Sequence, residues 1–317
     1  MSSDSGGRPR TVLVTGGAGY IGSHTCVALI QHGYQVVVVD DHSNSSPEAL
    51  ARMTTLTGVA IPAYRVDIRD RTALAGVFGR HRIDVVMHFA AKKSVPESTR
   101  MPLRYIDVNV TGTISVLNSM LEHGVRRLVY SSSCALYGGG HTRPSTESDP
   151  PAPTNPYAWT KWTCEQIVGQ ICLEATELSV ISLRYFNPLG AHPSGILGEA
   201  PTGPLFDVMP HLNRVAAGES SELEHIDDRC GLRVFNIGTG VGTSVLQLRA
   251  TFAAASGREV RYIVRDRRPG DVAVLIADPS RIAAEWDWRC TLGLDDMCRD
   301  AWRFHCRNPH GYPTPES

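Results

Sequence analysis

Tyr157 and Lys161 lie four residues apart in the segment TNPYAWTKW, residues 154–162. On an α-helix, residues at this spacing share one face, so a phenol hydroxyl and an ammonium group can point into one site. Such a pair can transfer a proton when a reacting group binds beside it. A helix of this length can also contain the pair by chance, so the rest of the chain must decide between the two interpretations.

A glycine array lies near the amino terminus, in the segment GGAGYIG. Gly16, Gly19 and Gly22 follow a predicted strand and begin a predicted helix. In that context such an array binds a pyrophosphate at the positive end of the helix.

The next strand ends in Asp40, where a carboxylate binds adenosine ribose hydroxyls and repels a 2′-phosphate, so NAD is favoured over NADP. The alternative for Asp40 is that it only caps a turn. Asp67, at the end of the third strand, is in position for an adenine contact, and a capping role there is nearly as well supported.

The segments that carry these residues alternate between short apolar runs and longer amphipathic runs. The runs TVLVT, QVVVVD, DVVMHFA, RRLVYSSS and LSVISLRYFN are typical of strands buried on both faces. Helical patterns such as PEALARMTTL and TISVLNSMLEHG lie between them. This alternation predicts an α/β fold, a doubly wound parallel sheet of the Rossmann type.

The pattern changes after residue 187. Residues 188–206 are rich in Pro and Gly and have no regular periodicity. A strand at GLRVFNIG, a helix at SVLQLRATFAAASG, a strand at VRYIV and two terminal helices are predicted beyond it. We therefore predict an NAD-binding domain over residues 1–187 and a smaller, irregular α/β substrate domain over residues 188–317. The strand near residues 232–238 is expected to return to the main sheet.

Charge, cysteine content and hydropathy limit the class of protein. The 317 residues contain 31 Lys and Arg against 32 Asp and Glu, without a basic run, so a small molecule is a better partner than nucleic acid. The eight cysteines show no metal-ligand spacing, which predicts no metal site and fits a reducing compartment. A polar amino terminus and the lack of a long apolar run predict a cytoplasmic protein that does not enter a membrane.

Five motifs together identify a family. GGAGYIGSH, VMHFAAKKS, LVYSSSCALYG, NPYAWTKW and LRYFNPLGAHPSG resemble the extended short-chain dehydrogenase/reductases, and within them the UDP-glucose 4-epimerases. The resemblance runs from about residue 10 to residue 312 and includes the later motif RRPGDV. It implies NAD-dependent interconversion of UDP-galactose and UDP-glucose through a transient 4-keto sugar.

The resemblance assigns roles to the catalytic residues. Tyr157 would be the base, Lys161 would favour its phenolate and hold the nicotinamide ribose, and Ser133 would bond the reacting oxygen. The implied cofactor-binding residues are Gly16, Gly19, Tyr20, Ile21, Gly22, Asp40, Asp41, Asn44, Ser45, Asp67, Ile68, Phe89, Ala90, Lys93, Ser133, Tyr157, Lys161 and Phe186. The implied substrate-binding residues are Ser133, Tyr157, Asn187, Arg268 and Asp271.

A homodimer is expected through the helical segments 113–124 and 158–174. The second segment carries more apolar side chains than one buried stripe needs; they are Trp159, Trp162, Ile167, Val168 and Ile171. The alternative is that all five pack in the core.

Departures from the family pattern leave other functions open. A block of the pattern, with an arginine that clamps the UDP phosphates, is missing near residues 220–224. The alternative function is therefore a truncated homologue that binds NAD and serves as a weakly active or inactive regulatory protein. A different NAD-dependent sugar-nucleotide reductase has no residue in its favour. A sugar-nucleotide dehydratase is disfavoured, because Cys134 and Ala135 follow Ser133 where that class has an acid pair.

Overall fold

The computed structural model of the chain describes residues 8–139, 142–200, 230–264 and 272–313. Within these ranges, seven strands form one parallel sheet in the order β3-β2-β1-β4-β5-β6-β7. The strands are β1 Thr11–Thr15, β2 Gln35–Asp40, β3 Ala63–Arg65, β4 Val85–His88, β5 Arg127–Ser133, β6 Ser179–Tyr185 and β7 Gly231–Ile237. The predicted doubly wound α/β fold is confirmed.

Helices connect the strands and cover both faces of the sheet. Before β7 they are α1 Tyr20–Gln31, α2 Glu48–Thr57, α3 Arg71–Arg80, α4 Val95–Arg100, α5 Pro102–Tyr105, α6 Gly112–Glu122 and α7 Pro156–Glu174. After β7 they are α8 Val245–Ser256, α9 Ser280–Trp286 and α10 Leu294–Arg307. A π-helix, Ile106–Thr111, joins α5 to α6, and a 3₁₀-helix, Cys134–Tyr137, follows β5.

Alternate residues of the central strands pack on opposite faces of the sheet, as a strand period of two requires. Val12 and Val14 of β1 belong to one hydrophobic cluster, while Leu13 belongs to the cluster on the other face. All three side chains are completely buried. The unbroken apolar runs in the sequence therefore report a sheet with helices on both sides.

The strand order reverses between β1 and β4, which are neighbours in the sheet although two strands separate them along the chain. In open α/β sheets the crevice at such a point, outside the carboxyl ends of the strands, is where ligands bind. The glycine array follows the carboxyl end of β1, and residues 89–93 follow that of β4. The fold therefore brings these two motifs to the same crevice.

The carboxyl-terminal part of the chain extends the sheet and then leaves it. β7 pairs with β6 from Gly231 to Ile237, and α8 packs on α10. The strand predicted at VRYIV, residues 260–264, is wrong: the structure has no strand there, and Ile263 and Val264 are 78% and 85% exposed. β-branched composition stabilises a strand only where a partner strand and a packing surface are present.

None of the helices in the described ranges is long and apolar enough to cross a membrane.

Candidate active site

The glycine array forms a cradle whose shape excludes side chains. Gly16 has a positive φ of 69°, and a Cβ there would lie 2.6 Å from the backbone nitrogen of Ala90. A Cβ on Gly22 would lie 2.2 Å from the carbonyl oxygen of Gly16. α1 begins at Tyr20, and no side chain caps it. Its positive end is therefore open at this loop to an anion such as a pyrophosphate.

Asp40 ends β2 beside this loop and is buried. Its Oδ2 accepts a hydrogen bond from the backbone nitrogen of Ala18 at 3.0 Å, and its Oδ1 accepts bonds from the nitrogen of His42 at 2.9 Å and from Ser45 Oγ at 2.7 Å. A carboxylate has about four acceptor positions, so about one remains for a bond from a ribose hydroxyl. Asp40 thus ties the glycine loop to the loop after β2, where Asp41 is half-buried and Asn44 is exposed.

Asp67 and Ile68 follow β3. A hydrogen bond and ion pair with the Arg69 side chain lower the pKa of Asp67, and Arg69 also pairs with Asp107. Ile68 is buried against Gly112. Asp67 is therefore held as a carboxylate at the surface. The predicted contact with adenine would compete with the ion pair to Arg69 for the same carboxylate oxygens.

The loop after β4 closes onto β1. The backbone nitrogens of Phe89 and Ala90 both donate to the carbonyl oxygen of Thr15, at 3.0 Å and 3.1 Å. Ala90 lies against Gly16 as described above. Lys93, further along this loop, forms an ion pair with Glu199. These contacts put the predicted cofactor residues of β1 and β4 at one edge of the sheet.

Lys161 lies beneath the site on α7. Asn155 caps this helix by accepting a bond from the nitrogen of Ala158 at 2.9 Å, and Pro156 occupies its first turn. Lys161 Nζ is buried and donates to the carbonyl oxygen of Ser131 at 2.7 Å. Burial lowers the pKa of Lys161 to about 8. The ammonium form therefore still predominates at neutral pH.

Tyr157 and Ser133 lie on the two elements that Lys161 joins. Tyr157 is half-buried, one helical turn before Lys161 on α7. Ser133 ends β5, two residues after the carbonyl that Lys161 binds, and its Oγ accepts a bond from the nitrogen of Ala135 at 3.2 Å. The bond between Lys161 and β5 thus fixes the helix that carries the phenol against the strand end that carries the hydroxyl.

The predicted substrate residues follow β6. The nitrogen of Phe186 donates to the carbonyl oxygen of Ile237 at 2.9 Å, and its ring packs 5.9 Å from that of Tyr137. Asn187 has a positive φ of 45°, a conformation that asparagine adopts more readily than most residues. Arg268 and Asp271 lie outside the described residues.

Asn109, in the π-helix, was not among the predicted site residues. Its Oδ1 accepts from the nitrogen of Lys92 at 2.8 Å, and its Nδ2 donates to the carbonyl oxygen of Lys92 at 3.0 Å and to Thr160 Oγ1 at 2.9 Å. Asn109 therefore joins the loop of Lys93 to the helix of Lys161. An asparagine inside a helical segment was visible in the sequence, but it does not reveal the π-helix that positions it, because π-helices are rare.

His88 was missed as well. It is buried at the end of β4, where its Nδ1 is hydrogen-bonded to Thr15 Oγ1 at 2.6 Å and its Nε2 to Thr113 Oγ1 at 3.0 Å. Burial, helped by the positive charge of Lys161, lowers the pKa of His88 to about 3. The ring is therefore neutral and links β1, β4 and α6 below the site.

A buried ion pair anchors α7 one turn beyond Lys161. Glu165, one turn after Lys161, accepts from Arg184 Nη2 at 2.7 Å and Nε at 3.1 Å and from Ser182 Oγ at 2.9 Å. Arg184 Nη1 donates to Tyr137 Oη at 2.7 Å, and that hydroxyl donates to Asn236 Oδ1 at 2.7 Å. This chain of bonds connects α7 to β6 and β7.

Comparison with known proteins agrees with this geometry. The family model described as the NAD dependent epimerase/dehydratase family matches residues 12–218. The chain belongs to this family. It is 42% identical to UDP-glucose 4-epimerase of Bacillus subtilis, with 96% of this chain and 99% of the relative covered. A Dictyostelium discoideum UDP-glucose 4-epimerase is also 42% identical, with 95% and 97% covered.

Solved structures of this family have the same fold. The chain is similar to UDP-glucose 4-epimerase from Bifidobacterium longum in complex with NAD⁺ and UDP, with a TM-score of 0.91, 36% identity, and coverage of 95% of this chain and 100% of the other. The Stenotrophomonas maltophila enzyme with bound NAD and formylated UDP-arabinopyranose gives a TM-score of 0.89 at 37% identity, with 95% and 99% covered. The family resemblance read from the motifs is confirmed.

The alignments also bear on the missing segment. The match to the Bacillus subtilis relative spans 337 positions, more than the 317 residues of the chain. That relative therefore contains residues that this chain lacks. The proposed place of the gap, residues 220–224, lies outside the described residues.

Proposed function

We propose that the protein interconverts UDP-galactose and UDP-glucose by inverting the configuration at C4 of the hexose, with NAD as cofactor. One observation carries the proposal: the bond from Lys161 holds α7, which also carries Tyr157, against the end of β5, at the edge of the sheet that carries the glycine cradle. It occurs in a chain that matches UDP-glucose 4-epimerases over almost its whole length.

The residues of the crevice fit NAD. At Gly16 and Gly22 a Cβ would collide with backbone atoms, so the tight turn of the cradle requires glycine, and the cradle lies at the positive end of α1, where a phosphate is favoured. Asp40 lies beside it as the expected ribose ligand. NAD held there would supply the hydride acceptor and donor for C4 of the sugar.

The protein residues provide the proton chemistry. Tyr157 takes the proton from the hydroxyl at C4 and later gives it back, with Ser133 bonding the same oxygen. The ammonium of Lys161, one helical turn away, favours the phenolate over the neutral phenol. With a pKa of about 8, Lys161 carries its positive charge at neutral pH, where this help is needed.

Asn187, Arg268 and Asp271 are proposed to bind the UDP-sugar. Asn187 follows the carboxyl end of β6 in a left-handed conformation, at the edge of the sheet where the crevice lies. In the domain assignment we propose, residues 1–187 bind NAD and residues 188–317 bind the sugar nucleotide, while β7 belongs to the main sheet.

The cradle, Tyr157, Lys161 and Ser133 are all present, which supports an active enzyme. β7, the strand after the proposed gap, pairs with β6 from Gly231 to Ile237, so the sheet continues beyond it. A missing phosphate clamp would weaken UDP-sugar binding by about 1.5–3 kcal/mol, or tenfold to hundredfold, without removing the proton chemistry.

We further propose that the protein acts in galactose metabolism in the cytoplasm as a homodimer. Of the five apolar residues predicted for the dimer surface, Trp159 is 55% exposed. The other four pack in or against core clusters; they are Trp162, Ile167, Val168 and Ile171. Exposed Leu103, Ile106 and Ile114 lie on α5, the π-helix and α6; α5 and the π-helix pack on α7, and α6 packs on the π-helix. These four exposed side chains form the proposed dimer face.

A coupled assay tests the proposed function. Purified protein is given UDP-galactose, the formation of UDP-glucose is followed, and NAD content is measured. Tyr157→Phe is expected to lower kcat about 10²- to 10⁴-fold, because the proton-transfer group is lost while NAD is retained. Tyr64→Phe is the matched control and should keep wild-type activity. Tyr64 lies on β3, and the substitution removes a hydroxyl that is bonded to His81. A wild-type protein that holds NAD but forms no UDP-glucose would contradict the proposal.

A further inference from the structure

Glu199 has a buried carboxylate that is only half satisfied. Its side chain is 6% exposed, and its Oε1 pairs with Lys93. The other oxygen, Oε2, is buried and has no hydrogen-bond partner in the part of the chain that the structure describes. Buried polar atoms almost always have a partner, because an unsatisfied one is costly. This oxygen therefore points to a donor that comes from a bound molecule.

The place of Glu199 indicates what that molecule is. Lys93 follows β4 at the crevice, three residues after Ala90, which touches Gly16 of the phosphate cradle. Its side chain is half exposed, and its ammonium pairs with the buried carboxylate of Glu199. Glu199 thus lies at the rim of the crevice proposed to bind NAD and the sugar nucleotide, although no motif in the sequence singles it out.

The backbone before Glu199 is held from several directions. Four carbonyl groups of residues 190–196 accept hydrogen bonds from side chains of other elements, namely Gly190 from Tyr20, Pro193 from Arg303, Ser194 from Arg307 and Ile196 from Arg52. Tyr312 Oη bonds both the nitrogen and the oxygen of Gly198, at 3.1 Å and 2.9 Å. A side chain on a loop anchored in this way is pre-organised for a ligand.

We propose that Glu199 is a further ligand-binding residue, whose Oε2 accepts a hydrogen bond from a sugar hydroxyl, either on a ribose of NAD or on the UDP-sugar. The proposal rests on the function proposed above. Lys93 holds the carboxylate in place and balances its charge, so that the remaining oxygen faces the incoming hydroxyl. Carboxylates recognise ribose hydroxyls in the same way at the end of the second strand in Rossmann folds.

Binding measurements on the full chain test this proposal and separate the two sources of the hydroxyl. Glu199→Gln keeps the shape of the side chain and removes its charge. NAD is titrated into the NAD-free protein by calorimetry. UDP-galactose is titrated into the NAD-loaded protein in the Tyr157→Phe background, where turnover is blocked. Glu177→Gln, at an exposed ion pair with Arg126, is the matched control.

We expect Glu199→Gln to weaken one of the two ligands roughly tenfold to hundredfold, as for a lost bond to a charged group, and to leave the other within about twofold. A loss confined to NAD identifies a ribose hydroxyl, and a loss confined to UDP-galactose identifies the UDP-sugar. Wild-type affinity for both ligands would overturn the proposal. If Glu199→Gln does not fold, Glu199→Asp, which keeps the charge and moves the oxygens, is judged by the same two titrations.

These titrations do not require turnover. A wild-type protein that fails to convert UDP-galactose would refute the proposed function but would still give both affinities. A wild-type protein that converts UDP-galactose, with unchanged affinities in Glu199→Gln, would refute only the role of Glu199.

Discussion

At the scale of single residues, burial sets the protonation of His88. Its neutral ring bridges Thr15 and Thr113, and burial, with the charge of Lys161, lowers its pKa from 6.5 to about 3. The unfolded chain therefore binds one more proton than the folded chain between about pH 6.5 and pH 3. Because the folded pKa of this base is lowered, its contribution to stability is complete above pH 6.5 and is lost as the pH falls.

We predict that this histidine steepens the acid destabilisation of the protein. A single such group contributes a slope of up to about 1.4 kcal/mol per pH unit. His88→Asn should lower stability at pH 7, but its free energy of unfolding should fall less steeply from pH 6.5 to pH 5. Urea unfolding at several pH values measures both slopes. His310→Asn, at an exposed position, is the control and should keep the wild-type slope; a wild-type slope in His88→Asn would refute the prediction.

A second residue-scale prediction concerns Gly22. Gly22→Ala places a Cβ about 2.2 Å from the carbonyl oxygen of Gly16, so the cradle must open. We expect NAD affinity to fall roughly tenfold to hundredfold, because bonds from the loop to the phosphates are lost. Calorimetric titration with NAD measures the change.

Gly76→Ala is the matched control for this substitution. Gly76 lies inside α3, where a new Cβ would meet no atom within 4 Å. It should leave NAD affinity unchanged and raise stability by about 0.5–1 kcal/mol, since alanine is the better helix former. Equal NAD affinities in the two alanine variants would show that the cradle does not bind the phosphates.

At the scale of elements, the pair Arg184 and Glu165 ties β6 to α7. Both side chains are almost fully buried, so removal of one partner leaves an uncompensated charge in the core. Arg184→Met is therefore expected to destabilise the protein by about 3–5 kcal/mol, and the double variant with Glu165→Gln should recover part of this loss. Denaturant unfolding measures both.

Arg71→Met provides the comparison for this element. Arg71 pairs with Glu122 at the surface, where both side chains are more than half exposed, so the variant should lose less than about 1 kcal/mol. If Arg184→Met were as mild as Arg71→Met, the buried pair would not be what holds α7 to β6.

The elements also show where prediction from sequence works and where it fails. β1 was predictable because its five residues are all buried and its apolar run is unbroken. The segment VRYIV is also rich in β-branched residues, yet Ile263 and Val264 are exposed and pair with no strand of the described residues. The π-helix was not predictable, because such helices are rare and its Asn109 bonds to partners distant in the sequence, the loop of Lys92 and α7. Local composition reports burial on average, whereas these features depend on long-range partners.

At the scale of the whole molecule, the strand order follows from general rules of chain connection in α/β folds. Right-handed crossovers and helices on both faces leave few arrangements for alternating strands and helices, so the crevice beside the glycine array could be inferred. The pairing of Lys93 with Glu199 could not be, since 106 residues separate them and no spacing pattern links them. Motifs therefore predict the half of the site built on the sheet better than the half carried by irregular loops.

The dimer face yields the last prediction. Trp159 is the exposed aromatic residue of the proposed face, which also includes Leu103, Ile106 and Ile114 on neighbouring elements. Exposed apolar side chains on neighbouring elements are typical of an interface, and a buried tryptophan is often its energetic centre. Trp159→Glu would bury an unpaired charge there, so we expect the dimer to dissociate, with light scattering after gel filtration giving the mass of one chain. Val59→Glu, at an exposed position after α2, should stay dimeric. A wild-type chain that is monomeric at micromolar concentration, or a Trp159→Glu variant that remains dimeric, would place any interface elsewhere.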